Sequence, residues 1–136
     1  MFKTVLFPID ESREAREAAR IVSNIVKTYN SRLVILSVVE ENPKQETLAS
    51  EIMASTEQVA KLLEGAKALF AQEGIEAEVI ERKGMAPFVI CDVAEEINAD
   101  LIVMGCRGLG LTEEGAHESV TQRTINLSPC PVLVVP

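Results

Sequence analysis

The chain has 136 residues, 47% of them hydrophobic, and its 13 basic and 21 acidic residues leave a formal charge of −8. That length predicts one domain, residues 1–136, with a single core. The charge argues against nucleic acid and anionic membrane as partners, and no segment reaches the roughly 18 apolar residues of a membrane span.

The first run, Phe2 to Ile9, is mostly apolar with Pro8 near its end, and predicts a buried parallel strand. It begins without the pattern of a signal peptide. Asp10 and Glu11 follow, Ser12 is placed to cap a helix, and Arg13 to Tyr29 carries helical periodicity through Ala18, Ala19, Val22, Ile25 and Val26. Arg32 to Val39 is a second apolar strand, and Glu40 to Gln45, which contains Pro43, is a loop. Glu46 to Gln72 repeats apolar residues on one helical face, among them Leu62, Leu63, Ala66, Leu69 and Phe70. Its polar start, with Ser50, Ser55 and Thr56, reads either as a solvated helix end or as a flap over Lys44–Thr56. Gly74 stops this helix. Ile75 to Glu81 alternates apolar and acidic residues, with Ile80 out of phase, as an edge strand with one wetter face would. Gly84 turns the chain, and Pro87 stands in the first turn of a third helix that extends over Phe88 to Asn98.

Leu101 to Met104 has no polar break and predicts a strand covered on both faces. A glycine-rich loop follows, with Gly105, Gly108 and Gly110, and Ser119 opens a last helix that reaches Leu127. Ser128-Pro129-Cys130-Pro131 ends that helix, and Val132 to Val135 forms the final apolar strand. A strand, a glycine loop and a helix start can hold an anion on free N–H groups. The same stretch also reads as a tight turn with an ordinary cap. It contains no G-x-x-x-x-G-K-[ST], and Glu113 stands where a dinucleotide fingerprint would place its third glycine.

Strands alternating with helices predict an α/β fold, a single doubly wound five-stranded parallel sheet. Ligands in such folds sit beyond the strand carboxyl ends. The loops Pro8–Ser12 and Gly105–Ser119 line one crevice most easily if the first and fourth strands are neighbours, which is the order 3-2-1-4-5. Three cysteines without metal-like spacing fit a reducing cytoplasm. Cys91 and Cys130 read as packing residues, while Cys106 sits in the glycine loop. No metal motif is present, and His117, Glu118 and Ser119 form no nucleophile elbow, so no catalytic residue is assigned.

Five stretches carry a resemblance: KTVLFPIDES, SVVE, Gly84-x-x-Pro87-x-x-x-Cys91, ADLIVMGCRG and SPCPVLVVP. In this order, and over essentially the full length, they resemble the universal stress protein family. The resemblance implies the 3-2-1-4-5 sheet and a homodimer made by antiparallel contact of the last strands, Val132, Leu133, Val134 and Val135. A free apolar edge of that kind needs covering in any case. It also implies a stress-response sensor or adaptor that binds ATP or AMP, with Mg²⁺ accompanying ATP. Pro8 would border the nucleotide, and Asp10, two residues on, would meet the ribose or adenine side. Val38 would offer backbone hydrogen bonds to adenine, and Met104 would line the base pocket. Gly105, Gly108, Ser119 and Val120 would surround ribose and phosphates, and Arg107 could add positive charge.

Nucleotide-binding members share the signature G-x2-G-x9-G-[ST]. Gly105, Gly108 and Ser119 match it, but Glu118 replaces the third glycine. At ~5 Å and an effective dielectric of ~20, a carboxylate facing phosphate costs about 3 kcal/mol. That weakens a triphosphate by roughly two powers of ten. Alternatively, Glu118 occupies the anion site itself or points to solvent. Slow ATP hydrolysis is the most catalysis the resemblance implies, and the other reading is a family member that acts only through an unknown protein partner.

Overall fold

The computed structural model describes residues 1–9, 14–39, 49–105 and 120–136. Its elements are β1 (Thr4–Pro8), α1 (Glu14–Tyr29), β2 (Arg32–Val39), α2 (Ala49–Gln72), β3 (Ala77–Lys83), α3 (Ala86–Glu96), β4 (Leu101–Gly105), α4 (Val120–Leu127) and β5 (Val132–Val135). The five strands form one parallel sheet in the order β3-β2-β1-β4-β5. This is the doubly wound parallel sheet expected from the alternation of elements, in the order 3-2-1-4-5 expected from two loops sharing one crevice. The winding reverses between β1 and β4.

Strand alternation divides the core in two. Val5, Phe7, Ile35 and Val103 point to one face, where Ala18, Val22 and Val26 of α1 and Leu63 and Phe70 of α2 cover them. Leu6, Val34, Leu36, Ile102 and Met104 point to the other, under Ile90, Val93 and Ala94 of α3. Val120, at the start of α4, packs against this second cluster. Ile80, out of phase in its strand, also packs here, while Val79 packs on the opposite face.

Some boundaries differ from the sequence pattern for local reasons. β3 starts at Ala77 rather than Ile75 because the Ile75 N–H donates to the Phe70 carbonyl at 2.9 Å, within the C-terminal turn of α2. Gly74 makes that turn with a φ of +79°. α3 begins two residues before Phe88, with Met85 at its N-cap and Pro87 in the first turn, where a missing N–H costs nothing. α1 and α3 are each followed by an asparagine with a φ of 53°, Asn30 and Asn98, the left-handed turn that asparagine tolerates best after glycine.

Candidate functional site

The carboxyl edge of the sheet opens at one seam. β1 pairs with β2 as far as Pro8 and Leu36, but with β4 only at Val5–Leu101 and Leu6–Ile102. The Ile9 N–H donates to the Leu36 carbonyl at 2.8 Å, so the backbone groups of odd residues in β1 face β2. Position 8 therefore faces β4, and proline has no N–H to offer there. The ladder stops, and β1 and β4 part where the winding reverses. A proline in a central strand usually argues against that strand; here it marks the crevice.

β2 extends past this opening. Its Leu36 carbonyl is bonded to β1, and its Val39 carbonyl accepts the Gly84 N–H from the β3 side at 3.0 Å. By alternation, the N–H and C=O of Val38 point to the β1 side, beyond the last residue of that strand. The Val38 side chain is half-buried against the cluster that holds Met104. A donor and an acceptor above an apolar shelf suit a flat ring with a polar rim.

The other wall is the junction of β4 and α4. Gly105 is buried, and its carbonyl accepts a hydrogen bond from Thr121 Oγ1 at 2.9 Å. This bond ties the first turn of α4 to the end of β4. The first turn contains no acid, so the positive end of the helix is not offset from within the helix itself. Thr124 is also buried and returns its hydroxyl to the Val120 carbonyl at 2.7 Å. Sequence reasoning missed Thr121. Its signal is two threonines at i and i+3 on the inner face of a short helix, where a buried hydroxyl needs a partner.

Pro8, Val38, Met104, Gly105 and Val120 thus gather around one edge, with Met104 fully buried and Val120 half-buried. Asp10, Arg107, Gly108, Glu118 and Ser119 lie outside the described residues, as do Ser12, Cys106, Glu113 and His117. The segment Lys44–Thr56 lies outside them in its first part, and from Ala49 onward it is helical.

The two described thiols behave as packing groups. Cys91 is buried with Sγ 3.8 Å from the Thr124 carbonyl, and burial pushes its pKa above the ordinary 9.0. Burial does the same to Cys130, with the Ser128 hydroxyl pulling partly the other way. Neither is an activated nucleophile. Among the described residues, no three His, Cys, Asp or Glu side chains gather as metal ligands, and no helix is long and apolar enough to cross a membrane.

Known proteins share this architecture. The universal stress protein family model matches residues 1–136. The universal stress protein Sll1654 of Synechocystis is 65% identical over 136 residues, which is 100% of this chain and 87% of that protein. A crystal structure of a universal stress protein in complex with cAMP superposes with a TM-score of 0.80 at 21% identity, covering 99% of this chain and 97% of the other. The universal stress protein from Archaeoglobus fulgidus in complex with dAMP gives a TM-score of 0.75 at 20% identity, covering 99% and 98%.

Proposed function

The chain belongs to the universal stress protein family, and from that premise we propose that it binds an adenine nucleotide between β1, β2 and β4 and acts as a sensor or adaptor in a stress response. The observation that carries this reading is the ladder broken at Pro8, with the backbone of Val38 turned toward the gap. The relatives in complex with cAMP and dAMP support adenine as the base. In this reading Val38 meets the adenine edge and Met104 lies beneath the base. Asp10 meets the ribose or adenine side. Gly105, Gly108, Ser119 and Val120 surround ribose and phosphates, Arg107 adds a positive charge, and Mg²⁺ accompanies ATP. Residues 1–136 act as one cytoplasmic domain that pairs through β5 into a homodimer.

Glu118 sets the selectivity. A carboxylate at the phosphate approach penalises each added phosphate charge, so AMP is favoured over ATP. Glu118 also motivates a second reading, in which the site holds no nucleotide and the protein works only through protein partners. Calorimetric titration of nucleotide-stripped protein with AMP, and with ATP plus Mg²⁺, separates the two. The first reading expects saturable binding with AMP tighter, and a Glu118→Gly variant that gains about tenfold or more for ATP. No heat from either nucleotide, in the natural protein or in the variant, would overturn it.

A further inference from the structure

The face covered by α1 and α2 holds a feature that the nucleotide reading does not use. The two helices stand apart along a groove of about 1110 Å³. Side-chain size explains the gap: α1 lines it with Ala19 and Ser23, and α2 with Gly65 and Ala66. A Cβ placed on Gly65 would meet nothing within 4 Å. The floor is the edge-to-face pair Phe7–Phe70, with ring centroids 6.1 Å apart. Leu69 on the wall is 58% exposed, although it stands on the apolar stripe of its helix.

The charge of the lining runs against that of the chain. Among the described residues, Arg20, Lys27 and Lys61 line the groove against one acid, Glu73, in a protein with more acids than bases. Lys27 is joined to Glu73 at 2.5 Å, which bridges the two helices toward their C-terminal ends. Arg20 precedes Lys27 by seven residues and Lys61 precedes Glu73 by twelve, which puts them roughly 10 and 18 Å back along the helix axes. Arg20 has a loose, exposed pairing with Glu17 at 3.8 Å. Lys61 has no ion pair among the described residues. The groove therefore has an apolar bed, one end closed by a neutralised pair, and two cations toward the other end.

We propose that this groove binds a free amphipathic carboxylate, a medium-chain acyl acid, with its headgroup at Arg20 and Lys61 and its chain over Gly65, Ala66 and the Phe7–Phe70 floor. Charge complementarity selects the anion. The net charge of −8 selects a free acid over an anionic bilayer, which the whole protein repels.

The test is a calorimetric titration of the full chain with decanoate below its micellar range. Saturable binding is expected at one site per chain. Arg20→Glu with Lys61→Glu should weaken it about tenfold or more. Gly65→Leu should weaken it about tenfold or more by obstructing the groove where the acyl chain lies. That variant replaces a helical glycine with a better helix former into open space, so the fold is retained and nucleotide titration is unchanged. Octyl glucoside, a neutral counterpart, should bind at least tenfold more weakly. Absence of saturation, full binding by Gly65→Leu, equal affinity for octyl glucoside, or co-sedimentation with phosphatidylglycerol vesicles would each overturn the proposal.

Discussion

The two edges of the sheet are built in opposite ways. β3 ends one side with the sequence AEVIERK, four charges in seven residues, two of them held in ion pairs. Glu78 receives two hydrogen bonds from Arg32, and Arg82 lies 3.0 Å from Glu96. β5 ends the other side with VLVV, four residues without a charge, of which Leu133 is 38% exposed. Charge along an edge strand discourages other strands from pairing with it. β3 carries that protection and β5 does not. The prolines at 131 and 136 leave only the four residues between them free to pair. The difference indicates which edge is suited to a second chain, and it is the edge that the proposed homodimer uses.

A proline placed on each edge in turn should separate the two most strongly. The Ile102 N–H donates to the Pro131 carbonyl at 3.0 Å, so odd residues of β5 face β4. The N–H groups of Val132 and Val134 therefore point outward. Val134→Pro removes an outward donor without touching the β4 ladder. The expected result in analytical ultracentrifugation is a shift from dimer to monomer at ~10 μM, a dissociation constant raised about a hundredfold or more, with circular dichroism unchanged. On β3, the Gly84 bond to Val39 makes even residues face β2, so Glu81 points its N–H outward. Glu81→Pro should leave the assembly as it was. If both variants dissociate, or if the unsubstituted protein is already monomeric, the contrast between the edges means nothing for assembly.

A smaller effect is expected where β3 passes to α3. Gly84 has a φ of +140°, and a Cβ there would lie 2.9 Å from Val89 Cγ2. Gly84→Ala should cost about 2 kcal/mol and lower the melting temperature by roughly 6 °C. Gly65→Ala, in open helical space, should instead stabilise by about 0.5 to 1 kcal/mol. Equal effects in a thermal melt would show that Val89 and the backbone relax freely, and that β3 needs no glycine to end it.

Much of the architecture was legible because local signals agreed. β2 and β5 have the limits that the sequence indicated, Arg32–Val39 and Val132–Val135, since polar residues or prolines flank both apolar runs. The strand order followed from asking which loops could share a crevice. The role of Pro8 was not legible, because only the register shows that position 8 faces β4 rather than β2. Thr121 was missed for the same reason: its partner is a carbonyl 16 residues back. Leu69 was expected on the core face. Ala19, Ser23, Gly65 and Ala66 are too small to fill the space beside it, and a helical period does not register the volume of the facing helix. Five of the predicted nucleotide contacts, Asp10, Arg107, Gly108, Glu118 and Ser119, lie outside the described residues.

The ion pair at the β3 edge contributes only a small stabilisation beyond guarding that edge. The hydrogen bond from Arg32 pulls the Glu78 carboxyl below its ordinary 4.5, slight burial pushes it back, and the Arg32 charge pulls again. A carboxyl with a lowered pKa in the fold contributes stability above its ordinary value, and loses it as pH falls through the folded value. Both side chains are about half exposed, so solvent screens the pair and its worth is about 0.3 kcal/mol. Urea denaturation of Glu78→Gln should fall below the unsubstituted protein by that amount at neutral pH. The two curves should converge as pH drops well below 4.5, and also at high salt. A gap that persists in acid would mean that the carboxylate charge is not what matters. A gap several times larger at neutral pH would mean that the β3 edge depends on Arg32–Glu78 for its place in the sheet, and not only for keeping other strands away.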